Sequence, residues 1–339
     1  MQNLFGMTLP QLQALCAEEG FPTFTAKQMC NWLYAKRCQS IDDMTNLSLK
    51  VRSRLKEICV LEHWYPVDCQ TSKDGTKKYL FPAEDGQFIE TVYLPEKDRA
   101  TLCISCQKGC KMNCQFCVTG RQGFHGHLSA AQILNQIFSI PEFESLTNIV
   151  YMGMGEPMDN YDNVLATTQV LTSQWGLAWS PKRITVSSVG VIPRLKQFIE
   201  ESHCHVAVSL HNPFDSERLQ IMPAQKAYPI SEVIAMLKQY DWTGQRRISF
   251  EYTLFKGVND SRRHAEELVR MLRGFPCRVN LIRFHASPEA PFKTCSPMAM
   301  DNFRDYLNNH GINCTIRASR GEDIMAACGL LAGKVGKNI

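Results

Sequence analysis

The sequence predicts an α/β protein, an open, six-stranded partial β/α barrel preceded by a small helical domain. Three observations carry this expectation. From Thr101 almost to the end of the chain, strand-like and helix-like stretches alternate, which implies parallel strands, because parallel neighbours need crossover connections. The polar motifs of that region fall where the candidate strands end. Between Thr8 and about Cys59, by contrast, apolar residues recur only at helical spacing. At 339 residues the chain is long enough for one domain of barrel size and an appendage.

Taken in order, residues 1–59 carry three helical patterns. These are Leu9, Leu12, Leu15 and Cys16; then Met29, Trp32 and Leu33 behind Thr25 as a cap; then Leu47, Val51, Leu55 and Ile58. Lys27, Arg37, Lys50, Arg52, Arg54 and Lys56 on this domain could face RNA or simply solvent. Residues 60–100 form a β-rich extension: 72–76 reads as a hairpin turn, with strands at 77–81 and 87–94, expected to cover one end of the next domain. Residues 101–311 form the partial barrel. Its strands are expected at 101–105, 148–154, 183–188, 205–210, 248–254 and 279–284, and its helices at 130–138, 164–171, 192–199, 233–237, 265–272 and 300–307. Residues 312–339 form a C-terminal segment.

Composition narrows the class. The hydrophobic fraction of 44% and charged fraction of 21% suit a folded globular protein, and a net charge of +4 is compatible with a nucleic-acid partner without arguing for one. Fifteen cysteines, with no secretory signal at the N-terminus, read as reduced thiols in the cytoplasm, where cysteine clusters serve metals or catalysis. No apolar run approaches the roughly 20 residues that span a bilayer.

The most informative stretch follows the first barrel strand. Cys110, Cys114 and Cys117 stand at C-x3-C-x2-C spacing, with Phe116 before the last. Three thiolates on one loop can hold three irons of a 4Fe-4S cluster and leave the fourth open to a chelating molecule. The other reading is a zinc loop completed by a remote ligand such as Cys103 or Cys106. Further polar groups end the later strands: Gly153-Met154-Gly155-Glu156-Pro157, then Ser187 and Ser188, then Ser209-Leu210-His211, then Arg283-Phe284-His285. Singly, His211 reads as a core histidine, Gly155 as a turn and Ser187 as a cap. Together they line the C-terminal mouth, where barrels of this kind bind ligands. Glu156 suits a cationic amino group or ribose hydroxyls, and Ser187 and Ser209 the polar edge of a nucleoside.

The cysteine spacing resembles the signature of radical S-adenosylmethionine (SAM) enzymes. With Glu90-Thr91-Val92-Tyr93, Cys103-Ile104-Ser105, Thr119-Gly120, Met152 to Pro157, Ser209-Leu210-His211 and Ala326-Ala327-Cys328-Gly329, the chain is similar over nearly its whole length to the RlmN/Cfr family of RNA methyltransferases. Ala26-Lys27-Gln28 and Trp32-Leu33-Tyr34 extend the likeness into the helical domain.

That resemblance implies methylation of carbon 2 of an adenosine in 23S rRNA and of one beside the anticodon of tRNA. It also implies a 4Fe-4S cluster, two SAM molecules per turnover, an electron donor such as flavodoxin or ferredoxin, and a monomer without membrane attachment. By the same resemblance Cys110, Cys114 and Cys117 hold the cluster, and Gly155, Glu156, Ser187, Ser209, Leu210, His211 and His285 contact SAM. Cys328 carries the methyl group as S-methylcysteine, Glu90 is the proton acceptor, and Cys103 resolves the covalent RNA adduct through a transient disulfide with Cys328. Cys106 competes with Cys103 for that role. His285 departs from the asparagine that many members carry, and Arg283 beside it could instead bind RNA phosphate. Arg121, Lys182, Arg246 and Arg247 read either as basic surface around the mouth or as solvated loop charges, while Cys204, Cys277, Cys295 and Cys314 are assigned to packing or left unassigned. The alternatives are methylation of carbon 8, as in Cfr, and a non-catalytic zinc-bearing RNA-binding protein.

Overall fold

The protein is described here by a computed structural model covering residues 1–83, 86–286 and 290–332. In the N-terminal domain β1 (Gln2–Asn3) pairs in parallel with β2 (Cys59–Val60), closing a unit that holds α1 (Leu9–Glu18), α2 (Thr25–Cys30) and α3 (Leu49–Ile58). Thr8 caps α1 in a reciprocal capping box with Gln11, and Ser48 caps α3 by accepting from the Val51 amide at 3.3 Å. The expected cap at Thr25 is corrected. Thr25 is the buried first residue of α2, and Phe24 precedes it without a side-chain cap. The middle helix is also longer than one α-helix, because a π-turn, Asn31–Ala35, continues it.

Next come β3 (Asp68–Thr71), β4 (Lys77–Pro82), β5 (Phe88–Pro95), β6 (Ala100–Cys103) and β7 (Gln107–Gly109). α4 (Val118–Arg121) leads to β8 (Phe124–His127), which pairs with β7. The alternating part then runs α5 (Ala130–Phe138), β9 (Asn148–Tyr151), α6 (Tyr161–Thr172), β10 (Ile184–Ser188), α7 (Ile192–Glu201), β11 (His205–Ser209), α8 (Asp215–Ile221), α9 (Ile230–Leu237) and β12 (Ile248–Leu254). It ends with α10 (Arg262–Leu272), β13 (Arg278–Arg283), α11 (Pro297–Asn309) and β14 (Asn313–Ile316).

Among the described residues the main sheet has the order β14-β13-β12-β11-β10-β9-β6-β5-β4-β3 and does not close on itself. The six expected barrel strands are β6 and β9 to β13, all parallel, and β14 continues them in parallel beyond β13. The extension does not cover an end of the barrel as expected. β5 pairs antiparallel with β6, and β4 and β3 follow, so the extension widens the same sheet sideways. Short connections between β3, β4, β5 and β6 permit only this antiparallel pairing.

The register gives the sheet two unlike faces. Residues directly opposite share a face, and the side changes at every residue along a strand. One face carries Ile149, Tyr151, Val186, Val206, Val208, Phe250, Tyr252, Val279 and Leu281, all buried. This is the main core, to which α5, α7 and α10 add Ile137, Leu195 and Leu268. The other face carries Glu90, Cys103, Ser187, Ser209, Glu251, Asn280 and Thr315. Parallel strands sandwiched between helix layers are ordinarily apolar on both faces, so a polar face marks an interior built for a ligand.

Candidate active site

The cysteine loop runs from β7 into α4. It is fixed on three sides: the Cys110 amide donates to the Gly123 carbonyl at 2.8 Å, the Gln115 amide to Ile221 at 2.9 Å, and the Val118 amide to Gly329 at 2.8 Å. Lys111 adds an ion pair to Asp159 at 2.9 Å, tethering the loop to the segment after β9. Cys114 is buried, and Phe116 packs edge-on against His211 and tilted against Phe255. Burial pushes the Cys110 thiol up to about 12 and raises Cys117 as well. Among the described residues no three His, Cys, Asp or Glu side chains gather where one metal ion could bind them. A zinc ion would need its sulfurs about 2.3 Å from one point. Three thiols on one loop and a mostly apolar surround fit a cluster with several metal corners.

The Gly153–Pro157 turn sits beside the loop. Gly155 has φ +105°, and an added Cβ would lie 2.6 Å from the Gln107 side chain, so only glycine fits. Gln107 accepts from the Glu156 amide at 2.8 Å and donates to Asp159 at 2.7 Å. Glu156 is buried, and its two oxygens accept amides of Met158 at 3.0 Å and Val189 at 2.9 Å. Burial lifts its carboxyl to about 7 against those bonds and the Ser188 hydroxyl. Its nearest partners are therefore the chain's own strand ends.

His211 takes a left-handed backbone, φ +54°, and its Nδ1 accepts the Thr253 amide at 2.9 Å, which leaves the ring proton on Nε2. Burial, helped by Arg218, lowers it to about 3. Arg218 is fully buried and donates to the carbonyls of Leu210 at 3.0 Å, Ser209 at 2.8 Å and Val189 at 2.9 Å. It thus sets the ends of β10 and β11, where Ser187, Ser209 and Leu210 lie. His285, just past β13, meets Ser319 at 3.1 Å and lies 3.6 Å from Glu322.

The expected catalytic groups come to the same region. Cys103 ends β6, buried. Burial and nearby Cys328 push its thiol up to about 12, and Arg317 partly offsets this. The Arg317 guanidinium reaches Glu251 at 3.5 Å and Met152 Sδ at 3.3 Å. Cys106 is buried too, and burial, with Glu156, Cys110 and Asp159 nearby, raises its thiol well above the ordinary value, without the influence of Cys328 felt at Cys103. Cys328 is exposed, on a segment strapped to α4 by the Gly329 bond and by Thr119, whose hydroxyl donates to the Leu331 carbonyl at 2.6 Å. Glu90 on β5 is buried; one oxygen lies 3.2 Å from Lys78 Nζ and the other accepts the Ala332 amide at 2.7 Å. A cleft of about 250 Å³ opens beside it, lined by Phe88, Lys108, Gly109, Met154 and Ala332 among others. All fifteen cysteines are free thiols.

Two comparisons of whole chains decide the family. The protein is 56% identical to a probable dual-specificity RNA methyltransferase RlmN of Parabacteroides distasonis, over 98% of this chain and 96% of that one. It is 41% identical to the dual-specificity RNA methyltransferase RlmN of Syntrophus aciditrophicus, over 98% and 97%. The chain belongs to the RlmN family. Residues 2–61 match the ribosomal RNA large subunit methyltransferase N-terminal domain, and residues 104–272 the radical SAM superfamily. A radical SAM methyltransferase of Sphaerobacter thermophilus superposes with a TM-score of 0.89 at 40% identity, over 98% of this chain and all of that one. The helical domain of this RlmN-family chain is therefore part of the family's own architecture.

Some expected residues lie elsewhere. Lys182 precedes β10, and Arg246 and Arg247 precede β12, so all three are at the N-terminal ends of the strands, opposite the cysteine loop. Arg246 is also spent on the carbonyls of Cys204 and Ile199. They do not ring the mouth. In the helical domain Arg37, Arg54 and Lys56 form ion pairs with Glu144, Glu19 and Asp42, while Lys27 and Lys50 are exposed. Cys204, Cys295 and Cys314 are buried, as packing residues would be, and Cys277 is half-buried. Lys78, Arg218, Glu251 and Arg317 escaped the sequence reading. Nothing local distinguishes them from surface charges, although the alternation of polar and apolar residues in Ile248–Leu254 could have singled out Glu251. No helix of the described residues is long and apolar enough to cross a membrane.

Proposed function

We propose that the protein methylates carbon 2 of adenosine in 23S rRNA and in tRNA beside the anticodon. The observation that carries this reading is the meeting of three distant segments, in which the Cys328 strand of chain is bonded to the cysteine loop through Val118 and to Glu90 through Ala332. Carbon 2 lies between two ring nitrogens and is too electron-poor to attack the methyl group of SAM. When bound, the 4Fe-4S cluster on Cys110, Cys114 and Cys117 together with SAM supplies a radical able to take hydrogen from an otherwise inert methyl group. The chain's own residues do the rest. Cys328, exposed beside the loop, carries the methyl group and links covalently to the ring carbon. Glu90 removes the ring proton, and Cys103 releases the product by forming a disulfide with Cys328. The shared neighbourhood of Cys103, Cys328 and Arg317 supports Cys103 over Cys106 for that step. Gly155, Glu156, Ser187, Ser209, Leu210, His211 and His285 shape the SAM site, and a flavodoxin- or ferredoxin-type donor to a monomeric enzyme supplies the electrons.

The adenine must leave its stack to reach this interior, and the cleft lined by Phe88, Lys108 and Met154 beside Glu90 gives it an apolar wall and a cation. Anaerobic reconstitution with iron and sulfide, then reaction with SAM, dithionite and an RNA fragment, tests the reading. We expect a brown protein and 2-methyladenosine by mass mapping. Finding only 8-methyladenosine, or a colourless zinc protein, overturns it.

A further inference from the structure

Lys78 stands beside the candidate base in a way that the proposed chemistry has not yet used. On the β4–β5 hairpin Leu80 lies opposite Glu90 and Lys78 opposite Val92, which in turn lies opposite Cys103 on β6. Lys78, Glu90 and Cys103 therefore share one sheet face, with Lys78 and Glu90 as diagonal neighbours. The two side chains are only 11% and 3% exposed, and Nζ is 3.2 Å from Oε1. The other oxygen, Oε2, holds the Ala332 amide.

We propose that Lys78 is the positioning residue of Glu90: it clamps Oε1 and supplies the counter-charge, so that Oε2 is the atom that takes the proton. The inference rests on the reading of Glu90 as the base. A carboxylate buried without a cation tends to bind a proton and lose its function as a base, and a neighbouring ammonium opposes that. In the step concerned the C2–H bond of the adduct breaks, its electron pair stays with the purine, and the proton passes to Oε2. Oε2 has a second lone pair for the proton while the first accepts the Ala332 amide. Glu90 then returns the proton to solvent.

The test uses the full chain with its cluster reconstituted, and two variants. Lys78→Gln keeps a donor for Oε1 without charge, and Lys78→Arg keeps both. Methylation of Cys328, read by mass, reports folding and the first half-reaction; covalent RNA on denaturing gels, followed over pH 6 to 9, reports proton removal. We expect Lys78→Gln to methylate Cys328 yet to resolve the adduct roughly 100-fold more slowly near pH 6.5, recovering as pH rises, within the range of acid–base contributions. Lys78→Arg should resolve it with the wild-type pH profile. Resolution at the wild-type rate by Lys78→Gln, equal slowing by both variants at every pH, or loss of Cys328 methylation by both would overturn the assignment. If Glu90→Gln resolves the adduct at the wild-type rate, the reading of Glu90 as base fails instead.

Discussion

The backbone amide of Ala332 donates to Oε2 of Glu90 at 2.7 Å, across 242 residues of sequence. The oxygen proposed to accept a proton from the substrate is thus already accepting a hydrogen bond from the segment that carries Cys328. Glu90→Gln keeps an acceptor for Ala332 but removes the base. It is expected to methylate Cys328, to split SAM and to accumulate RNA bound to protein, with methylated product falling about 100-fold or more. Free product at the wild-type rate would remove Glu90 from the chemistry.

Cys103→Ala should stop the reaction one step later. RNA should remain attached through Cys328, stable to denaturant and released by nuclease digestion as a Cys328 peptide carrying a nucleotide. Cys106→Ala should turn over normally, since Cys328 acts on the Cys103 thiol and not on that of Cys106. The opposite pattern in these two variants would reassign the resolving thiol.

Glu156 and His211 move stability in opposite directions with pH. The Glu156 carboxyl, held near 7 when folded against an ordinary 4.5, binds more proton in the folded chain between those values. Its stabilisation is complete below pH 4.5 and is lost as pH rises through 7. His211, held near 3 against an ordinary 6.5, does the reverse, and its contribution is lost as pH falls from 6.5 toward 3. Each acts at up to about 1.4 kcal/mol per pH unit, so the two offset between pH 4.5 and 6.5. Glu156→Gln removes one of them. Urea unfolding of the variant should show stability falling as pH drops across that interval, where the parent stays nearly level; parallel curves would show that these two groups do not set the balance.

Arg218→Lys tests the scaffold rather than the chemistry. Lysine cannot reach the carbonyls of Val189, Ser209 and Leu210 at once, and a buried carbonyl left unpaired costs about 1–3 kcal/mol. A loss of about 3 kcal/mol in unfolding free energy is expected, with weaker SAM binding by calorimetry because the ends of β10 and β11 lose their tie. A loss below about 1 kcal/mol would mean that water takes over the bonds.

What could be read from the sequence was what local spacing encodes. The cysteine loop, the strand ends at Ser187 and Ser209 and the six parallel strands each announce themselves within ten residues. Lys78 did not, because its pairing with Glu90 depends on β5 folding back beside β4. Arg218 looked like any charged helix residue; only the convergence of two strand ends above it explains its depth. The extension at 60–100 showed its strands but not its edge, since which side a strand joins depends on the partner rather than on its own residues. Arg246 was misplaced for a different reason. The strand expected at 248–254 begins just after it, so its place at the N-terminal end, away from the cysteine loop, was already legible in the sequence.

The hydroxyl of Thr119 finds its carbonyl partner 212 residues later, at Leu331. At typical elongation rates of about 5–20 residues per second, the thiol loop leaves the ribosome roughly 10–40 s before the segment that covers it exists. During biosynthesis, then, the three cysteines wait with one flank bare, and a message truncated shortly before codon 328 would yield a polypeptide with the three thiols but without the residue proposed to accept the methyl group.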